Sequence, residues 1–330
     1  MNGWKRIALT LVPLLALAAC GGEDGVDSET TVERKFLSIG TAPPGGAFFP
    51  VGGAIAEVLS AHGEGWQVTA EATKGSQENI RRLARGELDL ALANSAITYF
   101  AVRGESGWEE PISMRAVMTL APNVALFVTP QTTGIEQIAD LVGKRVVVGP
   151  AGAGFEFFVR PLLEAHGVSY DDFSPLHNTQ TGAVDMLGDG SAAAAFLGGA
   201  VPTASITQAA TSRSIHFVPY GEREMIQLTE TFLFFNRATI PAGTYRGQDE
   251  EFHGLDVGSM HLITSADVDE DLIYAVTKAV YENREEVAAK HAAGRAINPN
   301  NVVRDTGTEF HPGAIRFYKE IGIWPESAGS

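Results

Sequence analysis

Residues 40–53 read GTAPPGGAFFPVGG and separate a short apolar strand signal at 36–39 from a helix signal at 54–62. A strand, a glycine-rich loop and the start of a helix, in that order, present backbone N–H groups to a ligand. The glycines could instead do no more than permit tight turns. Because they cluster at the carboxyl end of a strand, we predict that this loop forms one half of a ligand clamp.

The unit of strand, loop and helix recurs in the residues that follow. Strand signals at 66–72 and 88–93 each run into a polar loop. Alternating strands and helices predict a mostly parallel sheet, and ligands on such sheets bind at the carboxyl ends of the strands. The loops at 40–46, 73–76 and 94–96 all belong to that edge.

A second copy of the design begins with a strand signal at 143–148. A glycine loop at 149–154 and a helix signal at 155–166 follow it, and a later strand signal at 192–197 ends at Gly198-Gly199. Similar order and spacing in the two passages predict two α/β lobes that face each other, each a mostly parallel sheet flanked by helices, with a cleft between them.

Residues 1–19 predict a lipoprotein signal peptide, with a basic start, a short apolar segment and small residues before Cys20. The pattern resembles a bacterial lipobox, in which Cys20 becomes the lipidated first residue of the mature chain. An ordinary secretory signal with an accidental cysteine is the alternative. Residues 20–34 are polar and acidic, which predicts a flexible tether. The sequence thus predicts a periplasmic or cell-surface protein that a lipid on Cys20 anchors to a membrane.

Composition and motifs exclude several function classes. The chain has 330 residues and a formal net charge of −16, which argues against nucleic acid as a partner. The loop at 149–154 lacks the Gly-Lys-Ser/Thr of a nucleotide P-loop, and no G-x-S-x-G, H-E-x-x-H, C-x-x-C or EF-hand signature occurs. We therefore predict no cofactor, no metal and no catalytic residue, and a binding protein rather than an enzyme. The alternative is an enzyme acting on small carboxylic acids, with His177 or Lys74 as its acid–base group.

The predicted ligand-binding residues lie in the strand-end loops of both copies. They are Thr41, Gly45, Gly46, Phe48, Phe49, Lys74, Ser76, Asn94, Ser95, Gly152, Ala153, Gly154, Phe155, Gly198 and Gly199. Several also have structural interpretations. Ser76 could only cap a helix, Phe48 and Phe49 could only pack in a core, and Asn94 with Ser95 could only start a turn.

Several stretches together resemble the TAXI family of solute receptors for TRAP (tripartite, ATP-independent periplasmic) transporters. They are 39–41 with 45–46 and 50–53, 70–73 with 75–76 and 78–79, 86–91, 196–199 with Pro202, 277–279 with 282–283, and 311–320. The resemblance covers nearly the whole mature chain. It implies a two-lobed periplasmic-binding-protein-like fold (type II), which we divide into lobe 1 at 35–121 plus 226–330 and lobe 2 at 122–225.

The same resemblance implies a function. The ligand is a small carboxylate or amino acid, glutamate-like in some members, and a monomeric receptor delivers it to a TRAP membrane permease. The sequence departs from the family at the ligand loops: Phe48 and Phe49 replace frequent tyrosines, Ala96 replaces an acidic residue, and residues 153–155 replace a Ser-Gly-Thr-like run. The pocket is therefore expected to be less polar than is usual in the family. A surface adhesin or sensor partner is a third possibility.

Overall fold

The computed structural model describes residues 35–44 and 46–325. The predicted signal peptide, the lipidation site Cys20, the tether and Gly45 lie outside the described residues. Within those ranges, none of the helices has both the length and the apolar character that crossing a bilayer requires.

The first sheet forms around the opening strand of the described chain. Its strand order is β2-β1-β3-β12-β4; β1 pairs in parallel with β2 and β3, while β12 runs antiparallel to both of its neighbours. These strands are β1 (Lys35–Gly40), β2 (Trp66–Glu71), β3 (Leu90–Asn94), β4 (Met114–Thr119) and β12 (Met260–Ser265). The prediction of a mostly parallel sheet holds here.

The second sheet is mixed. Its strand order is β10-β11-β5-β8-β6-β7, with β9 paired to the end of β5; β6, β7 and β8 are parallel, whereas β5 and β10 run against the other strands. These strands are β5 (Val124–Pro130), β6 (Arg145–Val147), β7 (Ser174–Leu176), β8 (Ala194–Gly199), β9 (Ile215–Phe217), β10 (Phe235–Ile240) and β11 (Phe252–Val257). A short crossing from the first sheet, not a crossover helix, leads into β5, so β5 need not be parallel to β8.

Helices cover the sheets. They are α1 (Phe48–His62), α2 (Ser76–Ala84), α3 (Ser95–Ala101), α4 (Glu156–Ala165), α5 (Gln180–Asp189), α6 (Ala204–Ser212), α7 (Glu222–Thr231), α8 (Glu270–Glu282), α9 (Arg284–Lys290) and α10 (Pro312–Glu320). Short 3₁₀ turns occur at Gln131–Thr133, Ile138–Leu141 and Ala292–Ala296. Two α/β lobes result, as the sequence predicts.

The division of the chain between the lobes differs from the prediction. The sequence predicts that residues 226–330 belong to the first lobe, yet β10 and β11 belong to the second sheet, where Leu255 pairs with Ala125. The chain returns to the first sheet only at Gly258 and Ser259, between β11 and β12. The apolar alternation shifts by one residue at this turn, from Leu255 and Val257 to Met260 and Leu262, and the sheet that each strand joins depends on residues far apart in sequence.

Helix α1 starts six residues earlier than its predicted start at residue 54, so Phe48 and Phe49 are helical. The glycines that suggested a long loop have another role. A Cβ on Gly52 would collide with the methyl group of Thr41, so the missing side chain lets α1 pack against the end of β1.

An aromatic cluster joins the two lobes beside the cleft. Phe100 of α3 lies 6.0 Å from Phe157 of α4 and 5.7 Å from Phe234, measured between ring centroids. Trp108 stacks on Phe157 at 6.0 Å. All four of these aromatic side chains are buried. The lobes are therefore connected by a common apolar core in addition to the two chain segments that cross between them.

His261 on β12 gives the stability of the fold a predictable pH dependence. The imidazole is fully buried, with Nε2 2.6 Å from the Thr306 hydroxyl, and burial together with the charge of Arg304 lowers the His261 pKa to about 3. The unfolded chain binds this proton near pH 6.5 and the folded protein does not. The stability that the folded protein gains from keeping His261 neutral is therefore fully present above about pH 6.5. It is lost as the pH falls toward about 3.

The free energy of unfolding should fall when the pH is lowered from about 7.5 to about 5. We expect this fall to be smaller in His261→Gln than in the parent protein, as measured by chemical denaturation. The exposed His253 is the matched control, and His253→Gln should leave the loss as it is in the parent protein. An unchanged pH dependence in His261→Gln would contradict the assignment.

Candidate ligand-binding cleft

A cavity of about 90 Å³ lies between the lobes, at the carboxyl ends of strands from both sheets. The loops after β1, β2 and β3 form one wall, and those after β6, β7 and β8 form the other. The volume is several times what one water molecule needs. The cavity therefore has the position and the size of a site for a small solute.

Nine predicted site residues line this cavity: Gly46, Phe48, Lys74, Ser76, Asn94, Ala153, Phe155, Gly198 and Gly199. Gly45 lies outside the described residues. Five others are absent from the described wall: Thr41, Phe49, Ser95, Gly152 and Gly154. Reading the sequence missed further lining residues, namely Ala42, Pro43, Pro44, Ala47, Gly75, Ile97, Asn123, Pro150, Phe158, Thr179 and Gln180.

Thr41 and Ser95 are turned into the protein and not toward the cavity. The Thr41 hydroxyl donates to the Glu71 carbonyl at 2.7 Å, and its own carbonyl accepts from Asn79 Nδ2 at 2.7 Å. Ser95 is fully buried as the first residue of α3. The Thr41 side chain thus supports the loops that carry the site, which the sequence pattern alone does not reveal.

Ser76 was predicted to cap α2, but Gly75 occupies the N-cap position. Gly75 has φ +121°, a conformation that side chains disfavour. The Ser76 oxygen accepts the Asn94 backbone N–H at 2.9 Å, while its hydroxyl hydrogen has no protein acceptor in the part of the chain that the structure describes. Ser76 is therefore free to donate a hydrogen bond into the cavity.

Asn94 does more than line the wall. Its Oδ1 accepts the Ala96 N–H at 2.8 Å and so caps α3, while its Nδ2 donates to the Gly258 carbonyl at 2.7 Å. Gly258 belongs to the crossing between β11 and β12. The cavity wall is thereby hydrogen-bonded directly to one of the two segments that join the lobes.

Gln180, which the sequence analysis missed, is a polar anchor on the wall of the second lobe. Its Oε1 accepts from the Gly198 N–H at 3.2 Å and from the Ser205 hydroxyl at 2.6 Å, and its Nε2 donates to the Gly198 carbonyl at 2.8 Å. One Nε2 hydrogen is left over. The available signal was its position one residue after Thr179, the N-cap of α5 at the end of a strand.

Lys74 supplies the only charged side chain in the described wall. Its Cδ lies 3.9 Å from where a Cβ on Gly152 would be, so the side chain reaches across to the second lobe. Helices α1, α2 and α5 begin with the lining residues Phe48, Ser76 and Gln180. The free N–H groups and the dipole at the start of each helix favour an anion in the cavity. The positive charge of Lys74 favours it too.

Close contacts hold the two walls together. A Cβ on Gly154 would lie 2.9 Å from Ile97 Cδ1 and 3.3 Å from Gln77 Cβ, both on the opposite lobe. A Cβ on Gly75 would lie 3.5 Å from Ala153 Cβ. Gly154 thus lies outside the cavity wall because it occupies the contact between the lobes.

Two α/β lobes with a cavity where their strand ends meet define a two-lobed fold like that of periplasmic binding proteins. PhnD1 of Prochlorococcus marinus MIT 9301, solved with methylphosphonate, is similar in fold (TM-score 0.54, 10% identity, 87% of this chain and 96% of that chain). A protein of Bordetella bronchiseptica RB50 is also similar (TM-score 0.53, 16% identity, 88% and 90%). The chain belongs to the NMT1-like family, whose profile matches residues 39–322.

Proposed function

We propose that the protein is an extracytoplasmic solute receptor for a small carboxylate. The observation that carries the proposal is Lys74, the single charged side chain in the described wall of a cavity into which Ser76 can donate a hydrogen bond. An anion would bind there through charge-assisted hydrogen bonds and the starts of three helices. Amino acids, glutamate-like ones included, are the second ligand class that the family resemblance implies.

Binding is proposed to stabilise the closed arrangement of the lobes. Lys74 and Ser76 belong to the first lobe, and Thr179 and Gln180 belong to the second, so one ligand can contact both. Only a ligand that binds the closed state more tightly than the open state shifts the equilibrium between them. A solute small enough to fit the cavity can meet this condition.

The partner and the location are proposed from the sequence. The stretches shared with the TAXI family support delivery of the solute to a TRAP-type membrane permease by a monomeric receptor. The lipobox-like pattern supports a lipid anchor on Cys20, with the body in the periplasm or at the cell surface. His177, one of the two acid–base candidates of the enzyme alternative, lies outside the described wall, with Nδ1 3.3 Å from the Gly149 carbonyl.

Lys74→Met tests the proposal. We expect calorimetry with acetate, benzoate, hexanoate, succinate and glutamate to find at least one ligand, whose affinity falls about tenfold or more in this variant because a charge-assisted hydrogen bond is lost. Lys144→Met, at an exposed position before β6, removes the same charge far from the cleft and should bind as the parent does. Equal affinities of Lys74→Met and Lys144→Met would contradict the placement of the anion.

A further inference from the structure

The cavity wall is built from hydrogen-bond donors and apolar surface. Pro43, Phe48, Ile97, Ala153, Phe155 and Phe158 supply much of the apolar part. No aspartate or glutamate occurs among the described residues of the wall. A bound ammonium group would therefore find no carboxylate there.

Two carboxylates that adjoin the lining segment 74–76, one at the end of β2 and one in α2, are already engaged. Glu71 pairs with Arg82 at 2.7 Å, and Glu78 accepts the backbone N–H of Lys74 at 3.1 Å. Neither belongs to the described wall. Both carboxylates are thus paired with groups of the protein itself.

The side-chain oxygens of the wall are also largely occupied. Backbone N–H groups donate to Oδ1 of Asn94, to Oε1 of Gln180, to the Ser76 hydroxyl and to the Thr179 hydroxyl. Asn123 has the one lining amide oxygen with no protein donor among the described residues, and it carries no charge. The site therefore offers an anion the charge of Lys74, and offers an ammonium group only neutral acceptors.

We infer that the ligand is a singly charged carboxylate with an apolar body and no ammonium group, such as an alkyl or aryl carboxylate. The inference rests on the proposed function and narrows it, because it removes amino acids from the ligand class. The head group binds at Lys74 and Ser76. The body lies against Phe48, Phe155 and Phe158, where burial of apolar surface stabilises it.

The apolar body has a way out of the cavity. A groove of about 360 Å³ shares Gly46, Ala47, Gly198 and Gly199 with it, and extends past Phe49 and Ala204. Phe49 is 37% exposed, and a Cβ on Gly46 would meet only Gln180 Nε2, at 4.0 Å. A chain longer than the cavity therefore continues along this groove between the lobes.

Matched ligands test the inference by calorimetry on the folded protein. Hexanoate and norleucine share a skeleton and differ by the ammonium group. Hexanoate is expected to bind at least about tenfold more tightly than norleucine, because burying an unpaired ammonium group costs free energy. Norleucine or glutamate binding as tightly as hexanoate would overturn the inference and leave the proposed function standing. If no carboxylate binds, with or without an amine, both fail.

A variant pair tests the groove. Ala204→Trp fills the groove from the exposed start of α6, and should weaken hexanoate several-fold more than propanoate. Ala242→Trp places the same ring on an exposed loop of the second lobe and should weaken neither. If Ala204→Trp weakens the binding of hexanoate and propanoate equally, the proposed path of the apolar body along the groove is wrong.

Discussion

Gly154→Val is expected to abolish most of the affinity for a small carboxylate while the protein stays folded. Gly154 has φ +89°, and a Cβ there would lie 2.9 Å from Ile97 Cδ1 and 3.3 Å from Gln77 Cβ across the cleft. Valine adds an isopropyl group, the Cβ and two methyl groups, at this contact, so the lobes cannot approach as closely as before. Because the proposed ligand binds between the lobes, we expect its affinity to fall about 30-fold or more.

Two measurements check this prediction. Calorimetry with the tightest carboxylate of the panel gives the affinity, and small-angle X-ray scattering reports whether that ligand still compacts the protein. Gly154→Val should lose the compaction together with the affinity. Wild-type affinity in this variant would show that the lobes close without the contact at Gly154.

Gly167→Val is the matched control for backbone strain. Gly167 lies in the same lobe with φ +73°, and a Cβ there would have open space. Both variants bear the cost of a side chain in the left-handed region, roughly 1–2 kcal/mol. Gly167→Val should therefore lose stability and keep its affinity. If the two variants lose affinity equally, strain and not the contact between lobes is responsible.

Arg304→Met is expected to produce the largest loss of stability of any substitution considered. Asp256 is 2% exposed, and it accepts from the Asn123 N–H at 2.9 Å, the Ser259 hydroxyl at 2.7 Å and Arg304 Nη2 at 3.4 Å. Removing the arginine leaves a buried carboxylate without a cation. Breaking a buried pair in this way costs about 3–5 kcal/mol of unfolding free energy.

The effect of Arg304→Met should depend on pH in a defined direction. Burial raises the pKa of Asp256, and Arg304 opposes the rise, so its removal raises the pKa further. The folded protein then keeps this proton to a higher pH than the unfolded chain does, and stability falls as the pH rises through the folded pKa. Chemical denaturation should show a smaller loss in mildly acidic buffer than at neutral pH.

Two comparisons make the Arg304 prediction specific. Asp256→Asn combined with Arg304→Met removes the unpaired charge, and should recover much of the stability. Arg316→Met breaks an exposed pair with Asp271, 2.7 Å apart, and should cost little stability because water screens the pair. The assignment fails if Arg304→Met is no more destabilising than Arg316→Met.

The position of Asp256 explains why its surroundings were not predicted. Asp256 and Ser259 flank the crossing at Gly258, and Arg304 comes from a distant segment of the first lobe. Asp256 and Arg304 are 48 residues apart in the sequence. The charge partner of Asp256 can be identified only once the chain folds back, since pairing at this separation leaves no local pattern.

The loops that line the cavity show the same contrast. Some of their residues can be recognised from local sequence patterns, and others only from contacts between residues far apart in sequence. Lys74 and Ser76 were found because a polar loop between a strand and a helix is a local pattern. Gln180 was missed, because its role depends on Gly198 and Ser205, which only the fold brings to it. Gly154 was predicted to contact a ligand, whereas the structure places it against Ile97 of the other lobe.

The sequence by itself determined that strands and glycine-rich loops alternate with helices in two copies, and that the loops meet at strand ends. Those features follow from neighbours in the chain, as turns, caps and apolar periodicity do. Only the tertiary structure decided which sheet β10 and β11 join, and which side chains line the cavity. The physical reason is that strand pairing and side-chain contact depend on residues far apart in sequence, which no local pattern encodes.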